Sequence, residues 1–382
     1  MLRVRRATSQ RTGAADRMTT GRNIALSLAR HIAVAVVRLA SIVLVARVLG
    51  PEANGQYALA VLVPTLLTAT LNLGIPAASV YFVASGSLTL TAAWRLNLRM
   101  WSVLVLSGGV VLALVAFVSE RILPGLSLLS LGAAGLLFPI TLASALMAGL
   151  TQARRDFAGF NRALLVAPLL SLALIVLGWA VLQSGLTVFH VIVMQVVAEL
   201  VGALCFWALL RPQVAPEITP VPRSEGAIGM RALLKFAGMV HLGNIVMQVS
   251  YRVDLYLVNL YLGAAAAGTY YVGVRIAEQV WLASQPVATV LLPEFAANYR
   301  QKSPSTNAQI TAELMVRLAL YASVVLGAVL CLIVRPAVGI LFGDAYRDAS
   351  ELVFWLLPGV LIFNASRIAS VAMTARGEPE LN

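Results

Sequence analysis

Ten stretches of about 20 mostly apolar residues follow one another along the chain, and runs of that length cross the hydrocarbon core of a bilayer as helices. Their expected limits are 24–48, 57–83, 100–118, 126–150, 163–182, 188–210, 237–261, 269–293, 318–341 and 352–374. A chain in hydrocarbon must satisfy its backbone polar groups internally, so the expected fold class is all-α integral membrane. Composition agrees: 60% of the 382 residues are hydrophobic and only 12% are charged, against roughly 25% charged in a soluble domain. Turn signals separate the runs at Gly50-Pro51, Pro124-Gly125 and Ser184-Gly185, and a Pro-rich connector extends from Pro212 to Pro222. The expected organisation is a cytoplasmic Arg-rich N-terminus (1–22), a six-helix bundle (23–211), a cytoplasmic linker (212–235) and a second, four-helix bundle (236–382).

The charges orient this pattern. If Arg3, Arg5, Arg6, Arg11, Arg17 and Arg22 are cytoplasmic, the loops on that side carry 19 Lys and Arg and the opposite loops only Arg121 and Arg347. Juxtamembrane positive charge resists translocation, so both termini are expected inside. The +12 net charge is spread between apolar runs rather than gathered in a patch, which argues against a nucleic-acid partner. Cys205 and Cys331 lie inside apolar runs, and His31, His190 and His241 each stand alone in a run, so no disulfide framework or metal-ligand spacing occurs. No GxxxxGK[ST] loop is present. The outer loops are too short for a catalytic domain, so the chain is not expected to be an enzyme or to carry a cofactor.

Leu49-Gly50, Gly55 and Tyr57 recur 213 residues later as Leu262-Gly263, Gly268 and Tyr270. Each set occupies the short outer loop of a helical hairpin, and an even number of helices separates them. The two halves are therefore expected to be parallel repeats about an axis along the membrane normal, with a substrate path between them. A full second repeat would end near residue 449, so the second bundle is expected to lack about two helices and to be truncated at Asn382.

Ionisable residues within spans are expensive, which makes each a functional candidate. In the seventh run His241, Asn244, Gln248, Arg252 and Asn259 share one stripe at helical spacing, reading either as interhelical glue or as one wall of a hydrated cavity. Asp254 points elsewhere and is placed to pair with a neighbouring helix. Arg275, Glu278 and Gln279 share a face of the eighth run, with Arg275 and Glu278 spaced for an intrahelical pair. Arg38 lies near the middle of the first run, whereas Arg47 near its outer end reads as a headgroup anchor and Arg335 as terminal because Pro336 follows. Glu199, one turn after Gln195, has no opposite charge in its own run; it either pairs across the bundle or is protonated, as proton coupling requires. Asn364 and Arg367 give the tenth run a polar face. Arg38, Arg252, Arg275 and Arg367 outweigh Glu199, Glu278 and Asp254, so the expected cavity is cationic and suits an anionic substrate such as a phosphate.

Ala46-Arg47-Val48-Leu49-Gly50-Pro51-Glu52, then Gly55-Gln56-Tyr57-Ala58-Leu59-Ala60 and Asn72-Leu73-Gly74-Ile75, resemble the opening of the Wzx-type flippases of the multidrug/oligosaccharidyl-lipid/polysaccharide exporter superfamily. Arg252-Val253-Asp254, Gly268-Thr269-Tyr270, Ala277-Glu278, Pro286 and Leu292-Pro293 resemble the start of that family's second half. The resemblance implies a bacterial cytoplasmic (inner) membrane protein that moves polyprenyl-diphosphate-linked oligosaccharide units for O-antigen, capsule or exopolysaccharide synthesis by alternating access. It further implies cations engaging the diphosphate, for which Arg38, Arg252, Arg275 and Arg367 are the positions here. Glycosyltransferases and a polysaccharide polymerase are the implied neighbours. Twelve or more helices are usual in that family, so the end of the chain departs from its pattern. A multidrug antiporter would be expected to carry acids in its cavity, and a membrane glycan polymerase or transferase would need longer outer loops. A purely structural scaffold does not account for the stripe in the seventh run.

Overall fold

The computed structural model of the chain describes residues 2–84, 86–154, 156–214, 245–246, 248–283 and 306–376. Among these residues every regular element is helical. The helices are α1 (Leu2–Leu71), α2 (Ile75–Ala84), α3 (Leu90–Ile122), α4 (Leu128–Gly135), α5 (Leu137–Ala153), α6 (Phe157–Leu182), α7 (Val188–Val214), α8 (Val253–Ala277), α9 (Thr306–Phe342) and α10 (Arg347–Arg376). Short side chains start several of them. Thr89 Oγ accepts the Ala92 N–H ahead of α3, Ser127 Oγ the Ser130 N–H ahead of α4, and Asp156 Oδ1 the Gly159 N–H ahead of α6. Eight helical stretches among the described residues are long and apolar enough to span a membrane, and the protein is an all-α integral membrane protein.

Two of the eight stretches are bent, so each carries parts of two of the spans read from the sequence. Ile32–Leu71 turns at Gly50 (φ 74°, ψ 173°) and Gln248–Trp281 at Gly263 (φ 84°, ψ 175°). That corner of backbone space is essentially open to glycine alone. The bends stand at the repeated Leu-Gly positions, so the sequence repeat is also a repeat of backbone geometry.

Other boundaries differ from the sequence reading. The expected span 57–83 is divided between α1 and α2 at a tight turn, where Asn72 Oδ1 accepts the Gly74 N–H at 2.8 Å and Leu73 and Gly74 take φ of 49° and 67°. In the seventh run Tyr251 and Arg252 form a turn, and the Arg252 N–H bonds Val249 O at 3.0 Å, one residue short of helical pairing. Asp254 Oδ1 takes the Leu255 N–H at 2.7 Å, a local bond of the kind that competes with a continuous helix. Gln248 and Asn259 therefore lie on separate helical segments rather than on one unbroken stripe. Pro336 does not end its helix; α9 continues to Phe342, as apolar surroundings allow.

The described residues pack as two compact units. The first draws on Val37–Gly273 and Val338–Ala349. Within it α5 packs against α2, α3, α6 and α7, and α6 against α7. Leu67, Ile75, Ala78, Leu104, Phe138, Leu142 and Leu146 form one of its cores. Helix α3 has a largely inverted pattern: Ala93, Asn97, Gly108 and Ser119 are buried, with Leu104 the one large apolar side chain among them, while Leu106, Val110, Leu114 and Phe117 are exposed. Small and polar groups inside with large apolar groups outside is the order a lipid solvent selects. Hydroxyl contacts join the helices, with Thr68 and Thr141 2.8 Å apart and Ser79 Oγ donating to Asn97 Oδ1 at 3.2 Å.

The second unit draws on Met1–Val36, Val274–Ala337 and Ser350–Asn382. In it Asn364 Nδ2 donates to Ser323 Oγ at 2.6 Å, tying α10 to α9, and the Arg335 guanidinium lies 5.6 Å from the Phe354 ring centre. Trp281 and Phe363 stack at 6.5 Å with their planes tilted by 39°.

Candidate functional site

In the first unit the exposed Arg38 of α1 is the cation whose charge reaches the half-buried Glu199 of α7. No ion pair or hydrogen bond joins the two side chains among the described contacts, so the pairing across the bundle that the sequence allowed for Glu199 is not formed there at contact distance. One turn earlier on α7, Gln195 Oε1 accepts the Tyr57 O–H at 2.8 Å. Arg38, Glu199, Gln195 and Tyr57 thus belong to three helical arms of the same unit, in segments that are otherwise apolar.

The second repeat treats its tyrosine in a parallel way. Tyr270 O–H donates to Asp254 Oδ2 at 2.7 Å, fastening the arm after the Gly263 bend to the arm before it. Asp254 thus accepts from its own helical hairpin through both carboxylate oxygens. Arg252, half-buried, precedes it in the turn that opens α8, and Gln248 is half-buried one turn earlier. Sequence reasoning marked Tyr57 and Tyr270 as repeat positions but gave neither a partner. Their equal offset within the repeat was the available signal.

In the second unit Arg275 Nη1 lies 2.8 Å from Glu278 Oε2, with the side chains 25% and 13% exposed. Gln279 Nε2 donates to Arg275 O at 2.8 Å. The intrahelical pair expected from i, i+3 spacing is formed where α8 gives way to the tighter turn Glu278–Ala283. It neutralises both charges locally, which lowers the cost of keeping them in a membrane span. Asn364 is fully buried and engaged with Ser323, as helix–helix glue. Arg367 belongs to α10, but its side chain lies outside the described residues, as do His241 and Asn244 entirely.

Arg47, exposed near the end of the first arm of α1, donates from Nη2 to Ile340 O. Beside it the buried Tyr346 O–H donates to Ala46 O at 3.0 Å. Arg47 therefore fastens helix to helix, a role the headgroup-anchor reading did not include.

A family described as polysaccharide biosynthesis protein matches residues 44–351. No curated protein matches the chain. Among solved structures, a multidrug resistance MATE family transporter of the MOP superfamily in its inward-facing conformation is similar at TM-score 0.68 and 14% identity, covering 90% of this chain and 81% of that one. The outward-facing conformation of a MATE family transporter of that superfamily is similar at TM-score 0.64 and 17% identity, over 94% and 82% of the two chains. A MOP superfamily transporter from Pyrococcus furiosus, described as having a binding pocket of reversed polarity, is similar at TM-score 0.64 and 15% identity, over 94% and 82%. At these identities the likeness is one of fold.

Proposed function

Because the chain belongs to the polysaccharide biosynthesis protein family matched over residues 44–351, we propose that it is a flippase for polyprenyl-diphosphate-linked oligosaccharide. It carries the unit from the cytoplasmic to the outer leaflet of a bacterial inner membrane by alternating access, without chemical change to the substrate. Residues 23–211 and 236–382 are its two repeats, joined by the linker 212–235, with the N-terminus cytoplasmic. The enzymes that build the unit and the polymerase that consumes it are its functional neighbours.

The observation that carries this reading is arginine held within membrane-spanning segments of a polysaccharide biosynthesis protein. Arg38, Arg252, Arg275 and Arg367, with His241, Asn244 and Gln248, are the groups assigned to the diphosphate and the acidic sugars. Guanidinium stays charged when poorly solvated and presents a planar fork to phosphate oxygens. Of the three acids assigned to ion coupling, Glu278 is paired with Arg275 and Asp254 is held by Tyr270. Glu199, attracted by Arg38, is the first choice, since an arriving anion competes for the same guanidinium.

Thermal unfolding in detergent tests the anion preference with two soluble probes. Farnesyl diphosphate is expected to raise the unfolding midpoint and farnesol, which lacks the diphosphate, to leave it in place. Ligand at about 100 times its Kd contributes roughly 2.7 kcal/mol. Equal responses to the two probes, or none to either, count against diphosphate recognition.

A further inference from the structure

We propose that the end of the first unit where α6 begins and α7 ends binds an anionic phospholipid with two phosphates in its headgroup, cardiolipin, through Arg162, Arg211 and Trp207. The site goes beyond the transport reading and needs only the membrane spans as its premise.

Helices α6 and α7 pack as antiparallel neighbours, and a close approach fixes their register: a Cβ built on Gly202 stands 3.0 Å from the Ala167 Cβ. An equal count back along α6 and on along α7 puts Arg162 level with Trp207, and Arg211 lies one turn farther along α7. Phe160 and Phe206, ring centres 6.3 Å apart, hold the two helices together near this level. The apolar span Ala158–Leu182 starts here and the span Val188–Arg211 ends here, so both arginines stand at the depth of phospholipid headgroups.

Each arginine also ends a face that looks into lipid. On α7 Val193, Val197, Leu200, Leu204 and Trp207 are exposed at helical spacing, and the exposed Arg211 is the next member of that stripe. On α6 the exposed Arg162 is followed, at steps of two turns, by the exposed Leu169 and Val176. Acyl chains therefore have two apolar strips to lie along, with a guanidinium at the end of each. The Arg211 guanidinium lies 5.1 Å from the Trp207 ring centre, and cation–π attraction holds it there while its other face stays available to a phosphate. Behind this pair Arg154, which closes α5, donates from Nη1 to Leu209 O at 3.2 Å, fastening the end of α7 and adding a further positive charge. None of these arginines forms an ion pair among the described residues. The one nearby acid described, Asp156, has its Oδ1 engaged by the Gly159 N–H at the start of α6. A headgroup with a single phosphate meets both Arg162 and Arg211 only if the two side chains converge from separate helices, whereas one with two phosphates meets each where it stands. Basic pockets between spans at headgroup depth suit such lipids.

The test titrates delipidated protein in neutral detergent with cardiolipin, phosphatidylglycerol or phosphatidylcholine and reads the retained lipid by native mass spectrometry. The wild type is expected to retain one cardiolipin at least tenfold more tightly than phosphatidylglycerol, and no phosphatidylcholine. Arg162→Gln combined with Arg211→Gln is expected to weaken cardiolipin retention at least tenfold with the lipid-free unfolding midpoint unchanged. Trp207→Leu, which keeps an apolar side chain and removes the ring, is expected to weaken it by a smaller factor and gives an independent reading should the double variant fold poorly. Arg95→Gln combined with Arg99→Gln removes the same charge from exposed positions of α3, whose Ala93 packs in the same apolar cluster as Leu210, and is expected to change retention less than twofold. Equal losses in the two double variants indicate diffuse attraction to a basic surface and overturn the site, as does undiminished retention without Arg162 and Arg211. Displacement of the bound cardiolipin by equimolar farnesyl diphosphate assigns the pocket to isoprenoid diphosphates and overturns it too.

Discussion

Replacing Gly50 and Gly263 together with alanine is expected to lower the unfolding midpoint in detergent by roughly 5–15 °C and to reduce the folded protein recovered from membranes. Both residues combine a φ near +80° with a ψ near 175°, a conformation a Cβ makes costly by about 1–3 kcal/mol at each site. Neither position is crowded, since among the described residues no atom lies within 4 Å of a Cβ built at Gly50 or Gly263. The penalty is therefore one of backbone strain, and it reports directly on the bends. Gly109→Ala and Gly132→Ala serve as controls, being equally uncrowded helical positions without positive φ. They are expected to be neutral or mildly stabilising. A double variant as stable as the controls contradicts the bent hairpins.

Arg252→Ala is expected to reduce glycan translocation by at least 30-fold while the protein inserts and folds normally. Removing one side of a desolvated charge-assisted contact costs about 2–5 kcal/mol, which is where that factor comes from. Arg275→Ala is harder to read, because Arg275 is bonded to Glu278 and its loss would mix lost binding with a stranded carboxylate. Arg252→Lys keeps the charge and loses the planar fork, and is expected to recover only part of the rate. Undiminished translocation by Arg252→Ala, measured per molecule of inserted protein, removes Arg252 from the substrate-binding set.

The features legible in the sequence were those carried by local periodicity. Twenty-residue apolar runs marked the helices, and the Leu-Gly positions marked the two short hairpin loops, where the structure has single-residue bends within continuous helix. The i, i+3 spacing gave the Arg275–Glu278 pair. Pairs formed through space were not legible: nothing near Tyr57 points to Gln195, nor anything near Tyr346 to Ala46. An apolar run surrounded by lipid also conceals its inward face, because both sides are hydrophobic and the stripe of a soluble helix is missing. That is why the interior of α3 had to be seen, with Ala93, Asn97 and Gly108 inside and Phe117 outside. The break at Tyr251–Arg252 carries neither Gly nor Pro, so the stripe in the seventh run was read as unbroken. The turn at Asn72-Leu73-Gly74 did have a signal, an Asn two residues before the N–H it accepts.

The most direct test of the central claim is leaflet exchange in proteoliposomes. The purified protein is reconstituted with a fluorescent polyprenyl-diphosphate-linked oligosaccharide, and the fraction reached by a membrane-impermeant quencher is followed with time. A flippase gives access to both leaflets' label on a time scale of minutes, while protein-free vesicles and vesicles holding the Arg252→Ala variant keep the inner half protected. Protection that persists with the wild-type protein, under an imposed proton or sodium gradient as well as without one, contradicts it.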